Sequence, residues 1–259
     1  MEALVGSVVG LVLGLTGAGG AIFAVPLFML LLNYSPSYAA GISLGVVGFS
    51  ALIGVLGRLR HKVICWRSAG VMVVGGALFA PVGRWLAAQL NERLITVSFS
   101  LLALYVAINM VKKARATKQQ QALEQDAEQP SDAQRQSPGR FWLLPLCGAA
   151  TGLLSGIFGV GGGFLIVPVL TLVVGLDIKR SIATSLLVIS VISAAGFLSH
   201  LWLQPAQDWH GLLPLAIGAV AGMAVGTFLV RRISSGNLQE IFAACVVGLV
   251  SVTLVREFI

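Results

Sequence analysis

The chain has 259 residues, 57% of them hydrophobic and 10% charged, against about 45–50% apolar and about 25% charged in an ordinary soluble domain, which excludes a water-soluble globule. Seventeen Lys and Arg against ten Asp and Glu give a net charge of +7, but the apolar runs confine those charges to the segments between spans, so the surplus reads as membrane orientation and not as a nucleic-acid footprint. Cys65, Cys147 and Cys245 stand far apart with no CxxC spacing, and encode neither a disulfide framework nor a Cys-rich metal site.

A spanning helix needs roughly 20 mostly apolar residues. In chain order the candidates are residues 4–32, 39–57, 68–83 and 94–111, then 146–174, 181–203, 211–230 and 238–255. The first lacks a basic n-region and is too long for the h-region of a signal peptide, so it reads as part of the mature chain. Between the fourth and fifth candidates, residues 112–140 are rich in Gln, Lys, Glu and Asp, lack aromatics and carry Pro130 and Pro138. The expected organisation is a first repeat over 1–111, a polar linker over 112–140 and a second repeat over 141–259.

The halves are copies. GLTGAGGAIFAVP (14–26) precedes GIFGVGGGFLIVP (156–168) by 142 residues, with six of thirteen positions identical. The same offset pairs Ser43-Leu44 with Ser185-Leu186 and Gly54 with Gly196. At offset 143, Trp66 pairs with Trp209, Gly75 with Gly218, Gly83 with Gly226 and Phe99 with Phe242. Holding one register with a single inserted residue over this length indicates an internal duplication, the usual build of a secondary transporter whose site lies at the repeat interface.

Orientation depends on the first segment of each half. If each half crosses four times, the halves lie parallel and the basic residues divide 11 to 6 between the faces. If 4–32 and 146–174 are re-entrant hairpins with arms of about twelve residues, each arm rises about 18 Å, enough to reach the middle of a ~30 Å hydrocarbon core. Each half then crosses three times, the copies are inverted, and the division becomes 14 to 3, with Arg84, Arg93 and Arg256 on the minor side. The sharper asymmetry favours inversion, with the linker in the cytoplasm and both termini outside. A broken helix that crosses completely is the other possibility for either segment.

The sharpest chemical signal is the pair of glycine clusters, Gly17, Gly19 and Gly20 in one half and Gly159, Gly161, Gly162 and Gly163 in the other. Glycines this dense break a helix, and non-helical backbone at membrane depth survives only when buried in protein or lining a cavity. The half-helix after each cluster presents free N–H groups and a positive dipole end to an anion; tight GxxxG packing is the alternative. Pro26 and Pro168 are expected near the start of those half-helices, with a kink in a longer helix as the equal alternative for either. Ser43 and Ser185 are the polar residues matched by identity in the next span, where each hydroxyl either donates to an oxyanion or back-bonds to its own helix. Arg58 and His200 are repeat equivalents at span ends and candidate gates, with snorkelling as the other reading of Arg58. All ten carboxylates fall in loops, termini or an end turn, which leaves no midplane proton relay.

Enzyme readings fare worse. Ile22 and Phe164 stand where a nucleotide-binding GxGxxG needs its third glycine, Leu153 stands where a GxSG protease needs glycine, and His61, His200 and His210 form no metal-ligand motif. No cofactor and no metal are expected.

The doubled GxGGxxxxVP element, Gly17 to Pro26 and Gly159 to Pro168, the Ser-Leu pairs after it, and the loops ending in Trp66 or Asp208-Trp209 before a Gly-rich span resemble the TauE/SafE sulfite exporter family, also called the toluene-sulfonate uptake permeases. The resemblance covers roughly residues 5–111 and 143–255, and departs at Ile64-Cys65-Trp66, where an acidic residue often precedes the Trp. It implies export or uptake of small sulfur-containing or carboxylate anions across a prokaryotic inner membrane. The expectation is therefore an all-α polytopic membrane protein of two inverted repeats, each a Gly-rich broken or re-entrant helix followed by three transmembrane helices. It would carry a small anionic substrate by alternating access, with the lipid bilayer and no nucleic acid as its other partner. A passive anion channel and a non-transporting partner subunit are the competing classes, and oligomeric state is left open.

Overall fold

The computed structural model describes residues 1–16, 20–59, 63–91, 93–105, 108, 143–176, 178–204, 209–229, 247–248 and 251–252. Gly17, Gly19, the linker over 112–140 and nearly all of the span expected over 238–255 lie outside the described residues.

Both Gly-rich runs divide where the glycines are densest. The first gives α1 (Glu2–Thr16) and α2 (Ala21–Leu31), of 15 and 11 residues; the second gives α6 (Leu143–Phe158) and α7 (Gly163–Leu172), of 16 and 10. The far ends of α1 and α2 meet, because the Tyr34 hydroxyl donates to Glu2 Oε1 at 2.9 Å, so these two helices form a hairpin with Gly20 at the head of its second arm. Burial, and then the Glu2 carboxylate, push the Tyr34 phenol pKa up. Among the described residues, four helices are long and apolar enough to cross a membrane: α3 (Pro36–Leu59), α4 (Trp66–Gln89), α8 (Ile178–Leu203) and α9 (Leu212–Leu229). A shorter apolar helix, α5 (Arg93–Tyr105), follows α4 and touches α6 through Phe99 and Phe158, whose ring centroids are 5.7 Å apart.

The helices of the two halves interlock. The largest interfaces are α1 with α9, α4 with α6, and α3 with α8. By the sequence offsets, α1 corresponds to α6, α3 to α8 and α4 to α9, so exchanging the halves turns the first interface into the second and the third into itself. The running directions follow from paired residues. On α1 and α9, Ala3, Ser7 and Leu11 lie against Gly218, Gly222 and Gly226, so these helices are parallel. On α3 and α8, Gly41 meets His200, Gly45 meets Phe197 and Gly48 meets Ser193, so these equivalents are antiparallel.

Glycine spacing explains the parallel pairs. Gly6, Gly10 and Gly14 form one strip on α1, and a Cβ at any of them would strike the carbonyl oxygen of Leu215, Ala219 or Met223. Gly218, Gly222 and Gly226 answer from α9 against the carbonyls of Ala3, Ser7 and Leu11. The same contact recurs where Gly148, Gly152 and Gly156 of α6 meet the carbonyls of Met72, Gly76 and Ala80, and Gly75 and Gly83 of α4 meet those of Pro145 and Leu153. Among lipid tails as apolar as the helices, close backbone approach is what holds helices together. The GxxxG packing considered for the tips therefore operates, but in these strips.

Two expectations are corrected. The span expected to end at Gly83 continues to Gln89, so Arg84, counted with the outer loops, sits inside α4 and is 3% exposed. Pro26 and Pro168 are the sixth residues of α2 and α7, not near their starts. Past the first turn, each ring removes an N–H that the helix would use and frees the carbonyl four residues earlier, that of Ile22 or Phe164.

Gly10→Ala or Gly152→Ala forces the paired backbones apart and is expected to cost about 1–3 kcal/mol, read as a fall of several degrees in the unfolding temperature in detergent. Gly70→Ala on α4, where a Cβ meets nothing within 4 Å, is expected to leave it unchanged or slightly raised.

Candidate functional site

The second glycine cluster is fully described. Gly159, Gly161 and Gly162 have φ of +70°, +68° and +64°, the left-handed region that L side chains rarely adopt, and Gly162 caps the N-terminus of α7. The tip is enclosed as well as bent. A Cβ on Gly159 would strike Ala40 of α3, one on Gly161 would come 2.6 Å from Ser193 Oγ of α8 and 3.2 Å from Val47, and one on Gly162 would meet the Thr151 carbonyl oxygen at 2.8 Å. This tip thus lies against both α3 and α8. Gly163 opens α7, whose first N–H groups point beyond the helix start, as at any helix N-terminus.

Hydroxyls surround the tip. Ser43 lies three residues after Ala40 and four before Val47, on the face of α3 that touches the cluster. Ser43 and Ser193 are 0% exposed, as is Ser155, whose carbonyl accepts the Gly159 N–H at 2.8 Å. Helical serines usually satisfy themselves on the preceding turn, and here Ser50 donates to the Val46 carbonyl at 2.7 Å, Ser100 to Thr96 at 2.7 Å and Ser199 to Ala195 at 2.8 Å. Ser43, Ser155 and Ser193 do not: their buried Oγ atoms have no hydrogen-bond partner among the described residues. A buried polar group left so costs about 1–3 kcal/mol, and three such hydroxyls lie about one tip.

The remaining expected residues are not all brought together. Ser185 is equally buried, but its hydroxyl donates to the Ile182 carbonyl at 2.9 Å. It neighbours Leu186, whose side chain would lie 3.5 Å from a Cβ at Gly54, a level about 16 Å along α3 from Ser43 at 1.5 Å per residue. Gly20 caps α2 and is packed against the Leu13 backbone, but in a right-handed conformation (φ −58°), unlike its equivalent Gly162. Arg58 and His200 occupy opposite ends of the α3–α8 pair. His200 faces Gly41, about 25 Å along α3 from Arg58. His200 is 0% exposed, with its ring 5.3 Å from Trp209, which also stacks with Tyr38 and Phe197 at centroid distances of 5.9 and 5.3 Å. Arg58 is half-buried in the last turn of α3.

Residues that repeat matching does not select complete the picture. Arg84, whose repeat equivalent is Thr227, borders a cavity of about 190 Å³ with Ser37, Gln204, Ala40, Ile95 and Ile157 among its walls. Arg84 Nη2 donates to Ser37 Oγ at 2.8 Å, and Gln204 Nε2 donates to the same oxygen at 3.3 Å. Ser155 and Ser193 likewise lack hydroxyl equivalents, at Leu13 and Ala51. The one sequence signal for Arg84 was the absence of any turn residue between Gly83 and Ala88.

The pattern of the family described as "Sulfite exporter TauE/SafE" matches residues 2–254. A "Probable membrane transporter protein" of Xylella fastidiosa (strain 9a5c) is 29% identical, covering 98% of this chain and 94% of its own. The "Probable membrane transporter protein YunE" of Bacillus subtilis is 26% identical over 92% and 90%, and MJ0441 of Methanocaldococcus jannaschii, of the same description, is 28% identical over 76% and 70%. No solved structure matches the chain.

Gly161→Ala is expected to destabilise the protein by about 1–2 kcal/mol from its left-handed φ alone, with the Ser193 contact adding to that. Adding Ser193→Gly should recover the contact and not the backbone cost. Complete recovery in thermal unfolding would contradict the strained geometry.

Proposed function

The chain belongs to the TauE/SafE sulfite exporter family, and we propose that it carries a small sulfur-containing or carboxylate anion across the prokaryotic inner membrane by alternating access at the interface of two inverted repeats. The observation that carries this reading is the second tip: a left-handed glycine cluster and the head of α7, enclosed by α3 and α8 and lined by the unpartnered hydroxyls of Ser43, Ser155 and Ser193. Free N–H groups, a helix end worth about half an elementary charge and hydroxyl donors are the groups that replace the hydration of an oxyanion. Donors held by a rigid backbone lose little entropy on binding, and a small mono- or dianion matches their summed charge better than a polyphosphate.

Inversion is supported by the antiparallel contact of α3 with its own equivalent α8, since copies related by an axis in the membrane plane present equivalent helices head to tail. It is supported again by the 14 to 3 division of basic residues and by the Glu2–Tyr34 bond, which returns α2 to the level where α1 begins. In this arrangement both hairpins are re-entrant, both termini face outward and the linker lies in the cytoplasm. Rocking of one repeat against the other about the α3–α8 crossing would expose the tips to each side in turn, as in other carriers with inverted repeats.

Single cysteines test the topology in a chain whose native Cys65, Cys147 and Cys245 are replaced. Ser35→Cys should label from outside and Asp177→Cys from inside; the opposite pair of results restores the parallel four-crossing arrangement. In proteoliposomes, sulfite or sulfoacetate flux should saturate and show counterflow. Ser43→Ala should raise the half-saturation concentration about tenfold, the worth of a hydrogen bond to a charged group. Flux without saturation or counterflow means a passive channel, and flux equal to empty liposomes for every small anion means a non-transporting subunit.

A further inference from the structure

The cavity beside Arg84 holds a group that the tip does not use. Arg84 is 3% exposed and lies within a membrane-crossing helix. Among the described residues its guanidinium donates to the neutral Ser37 hydroxyl, its Nε has no partner, and it forms no ion pair. A guanidinium cannot escape by losing its proton, and an unpaired charge in a low-dielectric interior is among the costliest features a fold can keep. Polar atoms converge on it. Ser37 Oγ accepts from both Arg84 and Gln204, which turns its own hydrogen away from them, and Gln204 Oε1 is buried without a partner.

We propose that Arg84, Ser37 and Gln204 form a binding pocket for one small organic oxyanion, a sulfonate or carboxylate with a short carbon portion, on the side of the protein where α3 begins and α8 ends. The assignment rests on the anion reading above and gives it a full positive charge. The free edge of the guanidinium and the Ser37 O–H are adjacent donors suited to two oxygens of one oxyanion. Ala40, Ile95 and Ile157 supply an apolar wall for the carbon portion. About 190 Å³ holds on the order of six waters at about 30 Å³ each, room for such an anion and not for a nucleotide. The pocket adjoins the second tip, because Ala40 lines it while lying against Gly159, and Ile157, which also lines it, is the next-to-last residue of α6, two before the cluster. An anion leaving Arg84 would therefore meet the tip next. The repeat equivalent of Arg84 is Thr227, so the other half has no arginine to match it and the two sides of the carrier would hold the anion differently.

The test is titration of the purified full chain in lipid nanodiscs with ethanesulfonate and with its neutral counterpart ethanesulfonamide, reading affinity and unfolding temperature. The unaltered chain should bind the sulfonate and not the sulfonamide. Arg84→Gln should weaken sulfonate binding at least about tenfold, while its ligand-free unfolding temperature stays level or rises, because a buried charge with no ion pair among the described residues has been removed; a purely structural arginine would lower it. Arg84→Lys should fall between. If Arg84→Gln does not fold, Ser37→Ala keeps the charge and should still weaken binding about threefold to tenfold. Sulfonate binding within twofold of the unaltered chain in the folded variant overturns the pocket and leaves the anion reading standing. Failure of the unaltered chain to bind any oxyanion overturns that reading, and the pocket with it.

Discussion

Backbone touching backbone is the constraint on which the rest of this structure depends. In lipid, apolar side chains gain nothing by leaving one another for the tails around them, so helices associate through dispersion contacts that need close approach. The strips Gly6-Gly10-Gly14 and Gly218-Gly222-Gly226, and their counterparts on α6 and α4, bring carbonyl oxygens into the space a side chain would fill. Because each strip pairs with the opposite half, the two copies are clasped twice. The α3–α8 pair is held between these clasps, and with it the surface on which the second tip rests.

That arrangement makes a strained tip tolerable. Three left-handed glycines within four residues would not hold one conformation as a free loop, since glycine gives up more backbone freedom than any other residue on becoming ordered. Enclosure by Ala40, Val47, Ser193 and the Thr151 carbonyl restricts it from several sides. The same enclosure keeps the three serines buried. Rigidity in the clasps and strain at the tip are thus parts of one design, and neither would serve without the other.

Much of this was legible in the sequence, for a physical reason. Helix breaks follow from glycine density, apolar spans from the cost of bare backbone in lipid, and both were copied by the duplication, so each signal could be checked against its twin. The division of 4–32 into α1 and α2, and of 146–174 into α6 and α7, was readable on those grounds. The four-residue glycine spacing on α1 and α6 was equally plain but overshadowed by the denser clusters. Matching by identity had a blind side. It selected Ser43 with Ser185, one of which satisfies itself on its own helix, and passed over Ser155, Ser193 and Arg84, whose twins are Leu13, Ala51 and Thr227. Residues that make the two sides of a symmetrical scaffold unequal are the ones a search for symmetry discards. Arg84 was also misplaced by the habit of ending a span at its first charge, which fails when the charge turns into the protein.

The pairing of α1 with α9 has a consequence for how the molecule is made. The glycine strip on α1 leaves the ribosome well before α9, since the carbonyls it packs against belong to residues 215–223, about 200 positions later. At about 5–20 residues per second, the first helix stays without its partner for roughly 10–40 s. During that interval its small-residue face is open to other proteins in the membrane. The reciprocal clasp of α4 by α6 closes sooner, so assembly would run from the middle of the chain outward, and a nascent chain cut short before α9 would leave that face permanently bare for quality control to find.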